Sequence, residues 1–155
     1  MKALGAYIRI RNGRYLAGFA VVEDDQLVLQ QSYPAPADET DAGQLGELYG
    51  RTGDVIASAS PDLFALKVSE IARTSTNAVI AHRAEGVLLA AAGRQRSLRI
   101  SSWSGQRLWK PAGFASPAKT KESIDALCGR LAQVPNGDEV RQAAAAAVAA
   151  LGVGA

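Results

Sequence analysis

Hydrophobic and polar positions change rhythm several times along this chain. Residues Ala3 to Ile10 alternate imperfectly, with Tyr7, Ile8 and Ile10 apolar, and predict a first strand. Arg11-Asn12-Gly13-Arg14 then supplies an Asn-Gly turn, the strongest short-range hairpin signal, and Tyr15 to Val22 predict the returning strand. Glu23-Asp24-Asp25 marks the next turn and Gln26 to Tyr33 a third strand, completing an antiparallel meander. Pro34-Ala35-Pro36-Ala37-Asp38 reads as a loop outside the ladder, because proline has no N–H to donate.

Beyond that loop the period lengthens. Thr40 or Asp41 caps a predicted helix through Leu45, Leu48, Tyr49 and Val55-Ile56. Gly43, Gly46, Gly50 and Gly53 weaken it by about 1 kcal/mol each relative to alanine, or else mark close packing against the sheet. Ser60-Pro61-Asp62 leads into an apolar run of about seven or eight residues, a length that suits a buried strand. Its one charge is Lys67, and a lone buried ammonium is costly unless it reaches water or a partner. Thr74 to Asn77 caps a second helix ending near Gly93, and Ser97 to Ser102 predict a fifth strand. A helical turn from Ser104 to Trp109, a loop from Pro111 to Pro117, a helix from Lys121 to Leu131 and a final helix from Glu139 to Leu151 complete the chain. The final helix is alanine from Ala143 to Ala147, so it must pack close to a neighbour or dock on a flat sheet. The order β-β-β-α-β-α-β-α-α describes an α/β, RNase H-like mixed five-stranded sheet, three antiparallel strands then two parallel, with helices on both faces. In such sheets ligands sit at the carboxyl ends of the strands, which is where Lys67 falls.

At 155 residues, with 48% of them apolar, the expectation is one compact domain over residues 1–155. The formal net charge of +2 hides a segregated distribution. Met1 to Val22 carries four cations (Lys2, Arg9, Arg11, Arg14) and no carboxylate; Glu23 to Asp62 carries nine acids against Arg51 alone. Arg94 to Lys121 carries seven cations and no acid. Such segregation points to a basic face suited to polyanions. The lone Cys128, within the helical pattern Ile124, Leu127, Leu131, reads as a buried thiol, with a disulfide to a second subunit as the alternative. No membrane span or signal peptide is expected, and the cytoplasm is the expected compartment. One histidine, His82, and one cysteine leave no zinc set, and no Ser-His-acid constellation or glycine-rich nucleotide loop is present. No cofactor is expected.

Several segments resemble the RuvC-type Holliday-junction resolvases. They are Ala17-Gly18-Phe19-Ala20-Val21-Val22, Pro61 to Leu66, Ala84-Glu85-Gly86 to Ala92, and the Lys-loop-Lys stretch Arg107 to Lys121. That family cuts DNA with four carboxylates holding two Mg²⁺ ions. The resemblance puts Tyr7, Lys67 and Arg141 (or Gln142) at three of those positions, and Asp138, with Glu139, at the other. A cation repels Mg²⁺ and offers no lone pair. Glu70 is not expected to replace the acid at Lys67, because a three-residue shift changes the face of a strand. The resemblance therefore implies a protein that holds DNA without cutting it; were it active, it would be a Mg²⁺-dependent structure-specific endonuclease. Expected DNA contacts are Lys67, Arg94, Arg96, Arg107, Lys110, Lys119 and Lys121, with Arg99 in the same stretch. Gly113 is expected to let backbone N–H groups approach a phosphate. Phe114 is a candidate wedge, and Trp103 and Trp109 are core anchors or stacking platforms. The family's dimer is expected here too, through the helix from Asn77 to Gly93. The alternative reading is a structural or scaffold subunit of a larger nucleoprotein or phage-type assembly.

Overall fold

The computed structural model describes residues 1–72 and 74–153, the last without its side chain. Five strands and four helices follow in the order β1 (Lys2–Arg11), β2 (Arg14–Glu23), β3 (Gln26–Pro34), α1 (Asp41–Ala59), β4 (Leu63–Lys67), α2 (Thr76–Gly93), β5 (Arg99–Trp103), α3 (Thr120–Cys128) and α4 (Asp138–Val153). A single 3₁₀ turn, Gly105–Arg107, lies between β5 and α3. The strands form one sheet in the order β3-β2-β1-β4-β5. β1, β2 and β3 pair antiparallel, while β4 lies parallel to β1 and to β5. This is the expected RNase H-like arrangement.

Local chemistry explains the meander. Asn12 and Gly13 both adopt positive φ, 52° and 70°, as the two-residue turn requires. Asp24 and Asp25 do the same at the second turn, at 48° and 63°. Pro34 differs from expectation. It closes the β3 ladder opposite Leu16, which is tolerated because β3 is an edge strand and proline's missing donor costs nothing at its last position. β4 is shorter than the apolar run suggests, five residues ending at Lys67.

Two cores sandwich the sheet. On one face Leu4, Ala6, Ile8, Phe19, Phe64 and Leu66 pack under α1 and α2. On the other, Ala3, Ala20, Val22 and Ala65 meet α3 and α4. Helix α4 is buried on all sides from Ala143 to Ala150, as a helix without a polar face must be. It reaches the sheet because β1 and β2 offer no side chain where it crosses. A Cβ at Gly5 would overlap the carbonyl oxygen of Ala143, and one at Gly18 would overlap the backbone of Glu139. The glycines of α1 are different: Gly46, Gly50 and Gly53 face open space, so the close-packing reading does not hold for them. Thr40 caps α1, its Oγ1 accepting from the Gly43 N–H at 3.1 Å, and Ser75 caps α2. Among the described residues no helix is long and apolar enough to cross a membrane.

Candidate nucleic-acid interface around Lys67

β4 delivers Lys67 to the carboxyl end of the sheet on the α4 face, two residues after Ala65 and directly beside Tyr7 of β1. The side chain does not project into solvent. Lys67 is 2% exposed, its Nζ donates to the Val68 carbonyl at 2.9 Å, and the ammonium lies 5.6 Å from the centre of the Tyr7 ring. Burial pushes the Lys67 pKa down, against the opposing pull of Glu70, Glu85 and Asp138. Burial, and then Asp138, push the Tyr7 hydroxyl up to about 12. An ammonium so withdrawn presents no surface to a phosphate, which corrects the expectation that Lys67 contacts DNA.

The surrounding carboxylates have their own partners. Glu85 is buried on α2 and accepts from the Ser69 N–H at 2.7 Å and faces His82 Nδ1 at 3.1 Å. Ser69 in turn donates through Oγ to the Ile8 carbonyl at 2.8 Å, tying the segment after β4 to β1 and α2. Glu70 lies beyond the strand and accepts from the Gly105 N–H at 2.7 Å. The strand-face argument against it therefore does not apply, because β4 stops at Lys67. Asp138 and Glu139 open α4, where the helix N-terminus favours acids. Glu139 is buried, accepts from Ser32 Oγ at 2.7 Å, and sits 3.8 Å from Arg9. Arg141 turns away to Asp125, which also binds Lys121 at 2.7 Å. Lys121, with Arg141 helping, holds the Asp125 carboxyl below its ordinary range.

These residues do not fit a two-magnesium centre. Tyr7, Lys67 and Arg141 supply no carboxylate, and Glu85, Glu70 and Glu139 already accept from Ser69, Gly105 and Ser32. Among the described residues no group of three or more His, Cys, Asp or Glu side chains is placed to hold a metal ion.

The basic stretch is not one surface. β5 carries the chain from Arg99, opposite Leu63, to Trp103, opposite Lys67, so it spans the sheet. Arg94, Arg96 and Arg99 therefore lie at the amino end of β4, where Arg99 N–H bonds the Asp62 carbonyl and Arg94 reaches the Tyr49 hydroxyl. Roughly 13–16 Å of strand separates them from the Lys67 end. Arg107, Lys110, Lys119 and Lys121 follow β5 and are all exposed. Glu70 anchors their base through Gly105, against which Thr120 packs at the start of α3. A groove of about 500 Å³ between α3 and α4 is lined by Lys121, Asp125, Asp138 and Arg141. Phe114 is exposed at the intervening loop. The Gly113 and Phe114 N–H groups bond the Lys110 and Trp109 carbonyls, so they are not available to a phosphate as expected. Trp103 packs into the core and donates to Ser101 Oγ at 3.0 Å, which makes it an anchor. Cys128 is buried, as expected.

Neither a protein-family model nor a curated protein matches the sequence. Solved structures do. Thermus thermophilus RuvC in complex with Holliday junction substrate superposes with a TM-score of 0.77 at 17% identity, covering 99% of this chain and 94% of that one. A second structure of Thermus thermophilus RuvC gives 0.77 at 18% identity, with 99% and 95% covered. The chain has the RuvC fold. The yeast mitochondrial Holliday junction resolvase Ydc2 is more distant, with a TM-score of 0.57 at 12% identity, 97% of this chain and 76% of that one.

Within this RuvC fold, Glu85 and the hairpin arginines join the surroundings of Lys67. Glu85 was legible as a carboxylate interrupting the buried stripe Ala81, Ala84, Leu88, where only a partnered acid is stable. The hairpin arginines Arg9, Arg11 and Arg14 stand out in the sequence as charge, whereas their position relative to Lys67 is set by β1–β4 register.

Proposed function

We propose that this chain is a single RuvC-like domain that binds branched or duplex DNA through phosphate contacts and does not hydrolyse it, working in the cytoplasm as a homodimer. The observation that carries the reading is Lys67. A cation stands buried at the carboxyl end of the central strand, bonded to the Val68 carbonyl, with Glu70, Glu85 and Asp138 near enough to oppose the lowering of its pKa by burial. Phosphodiester hydrolysis by paired Mg²⁺ needs converging carboxylates there, and the ammonium takes up the charge those ions would meet. Binding is the part that needs no metal. Arg107, Lys110 and Lys119 project from the segment beside Lys67, and their phosphate contacts would select a junction by shape with little base readout. Support for DNA as the partner comes from RuvC itself, whose structure with Holliday junction substrate shares this fold. For the dimer, α2 offers an outer surface on which Val79 is exposed.

The test is a gel-shift series on four-way junction, fork and linear duplex, paired with a cleavage assay in Mg²⁺ and in Mn²⁺. Junction binding at about 50 mM salt is expected, with Arg107, Lys110 and Lys119 together contributing about −3 per chain to the log–log salt slope. No cleavage is expected. Equal and negligible binding of all three DNAs removes the binding reading, and junction cleavage removes the inactivity.

A further inference from the structure

The β1–β2 hairpin continues past the carboxyl end of β4. Tyr7 is the last β1 residue paired with β4, so Ile8 to Arg11 extend beyond it with Arg14 to Ala17 alongside. Side chains alternate along a strand, which puts Arg9 and Arg11 on the face of Tyr7. Arg14 stands directly opposite Arg11 and shares that face. The ion pair of Arg9 with Glu139 of α4 fixes which face it is. Arg11 and Arg14 are exposed, and among the described residues no carboxylate pairs with either. Like charges directly opposite in an antiparallel ladder repel, so the hairpin keeps this pair against its own stability. Both line a groove of about 740 Å³ whose far wall is Pro34-Ala35-Pro36-Ala37, and no acidic residue lines it.

We infer that the tip of this hairpin is a second phosphate-binding site, for nucleic-acid backbone that passes the Lys67 end of the sheet. Guanidinium forks donate N–H bonds in pairs to phosphate oxygens, and a bound phosphate relieves the repulsion between Arg11 and Arg14. The proline and alanine wall adds a neutral surface for sugar edges. Arg107 and Lys110 follow β5 on one flank of Lys67 and the hairpin stands on the other, so DNA touching both crosses the strand ends. The inference rests on the DNA-binding reading above and adds a contact region to it.

A fluorescent four-way junction titrated from about 50 to about 200 mM KCl tests it, with wild type, R11Q/R14Q and R107Q/K110Q compared. Each lost phosphate contact flattens the salt slope by about 0.9, so R11Q/R14Q is expected to flatten it by about 1.8. The affinity gap to wild type then shrinks roughly tenfold across that salt range. R11Q/R14Q is also expected to melt at or above the wild-type temperature. A wild-type slope in R11Q/R14Q overturns the hairpin site while leaving the DNA-binding reading intact. A lower melting temperature overturns it as well, by making the guanidiniums structural. Wild-type protein that binds no junction removes the DNA-binding reading and this site with it.

Discussion

Replacing Lys67 with methionine tests the central physical statement, that a buried ammonium is held at a cost. Methionine keeps an unbranched stem of similar length, so packing is largely conserved. The substitution loses one charge-assisted hydrogen bond, to the Val68 carbonyl at 2.9 Å, worth about 1.5–3 kcal/mol. It also loses the attraction of Glu70, Glu85 and Asp138, two of which are exposed and screened. Against this it recovers the desolvation cost of the ion, several kcal/mol, roughly, even after relaxation. The lowered pKa of Lys67 sets the sign, because desolvation outweighs all three carboxylates together. Lys67→Met is therefore expected to stabilise the fold by about 1 kcal/mol, a rise in Tm of about 2–4 °C for a chain of this size. The advantage depends on pH. In the unfolded chain Lys67 holds its proton to 10.5, whereas the folded chain releases it lower, so wild-type stability rises relative to the variant as pH approaches 10.5. Thermal melts of both proteins from pH 7 to pH 10 measure this. A variant whose Tm falls by about 4 °C or more at pH 7 would show that the carboxylates need the ammonium more than the ammonium needs water.

Three further outcomes follow from the same structure. Gly5→Ala forces a methyl into the Ala143 carbonyl and is expected to cost about 1–3 kcal/mol in urea unfolding, whereas Gly46→Ala, in open space on α1, is expected to add about 0.5–1 kcal/mol. Tyr7 and Tyr15 are both pushed up to about 12, chiefly by burial, from 10.0 in the unfolded chain. Unfolded protein thus gives up these protons first, so stability holds below pH 10 and falls between pH 10 and about 12, with tyrosinate absorbance reporting the late component. Burial raises the Cys128 thiol from 9.0 to about 11. Native protein is accordingly expected to react with an aromatic disulfide reagent about a hundredfold more slowly than the same protein in denaturant, and equal rates would contradict its burial.

Element identity was written locally. The Asn12-Gly13 turn, the Thr40 and Ser75 caps and the alanine helix α4 each depend on residues within a few positions, where backbone dihedrals and side-chain periodicity act directly. That Tyr7, Lys67 and Arg141 are not acids was legible for the same reason, since it concerns which residues are present. Distance between charges was not. Seven cations contiguous from Arg94 to Lys121 look like one patch until β5 is seen to carry three of them to one end of the sheet and four to the other. In the same way Glu70 reads as a strand residue on the wrong face until β4 is found to stop three residues earlier. Strand pairing alone determines which end of the sheet a residue occupies, and pairing is a long-range balance of burial and register that no short window contains. The fate of Lys67 belongs to that second class. Its charge is a property of one residue, but its burial against Tyr7, within reach of Glu85 from α2 and Asp138 from α4, exists only once three distant segments close over the same strand end.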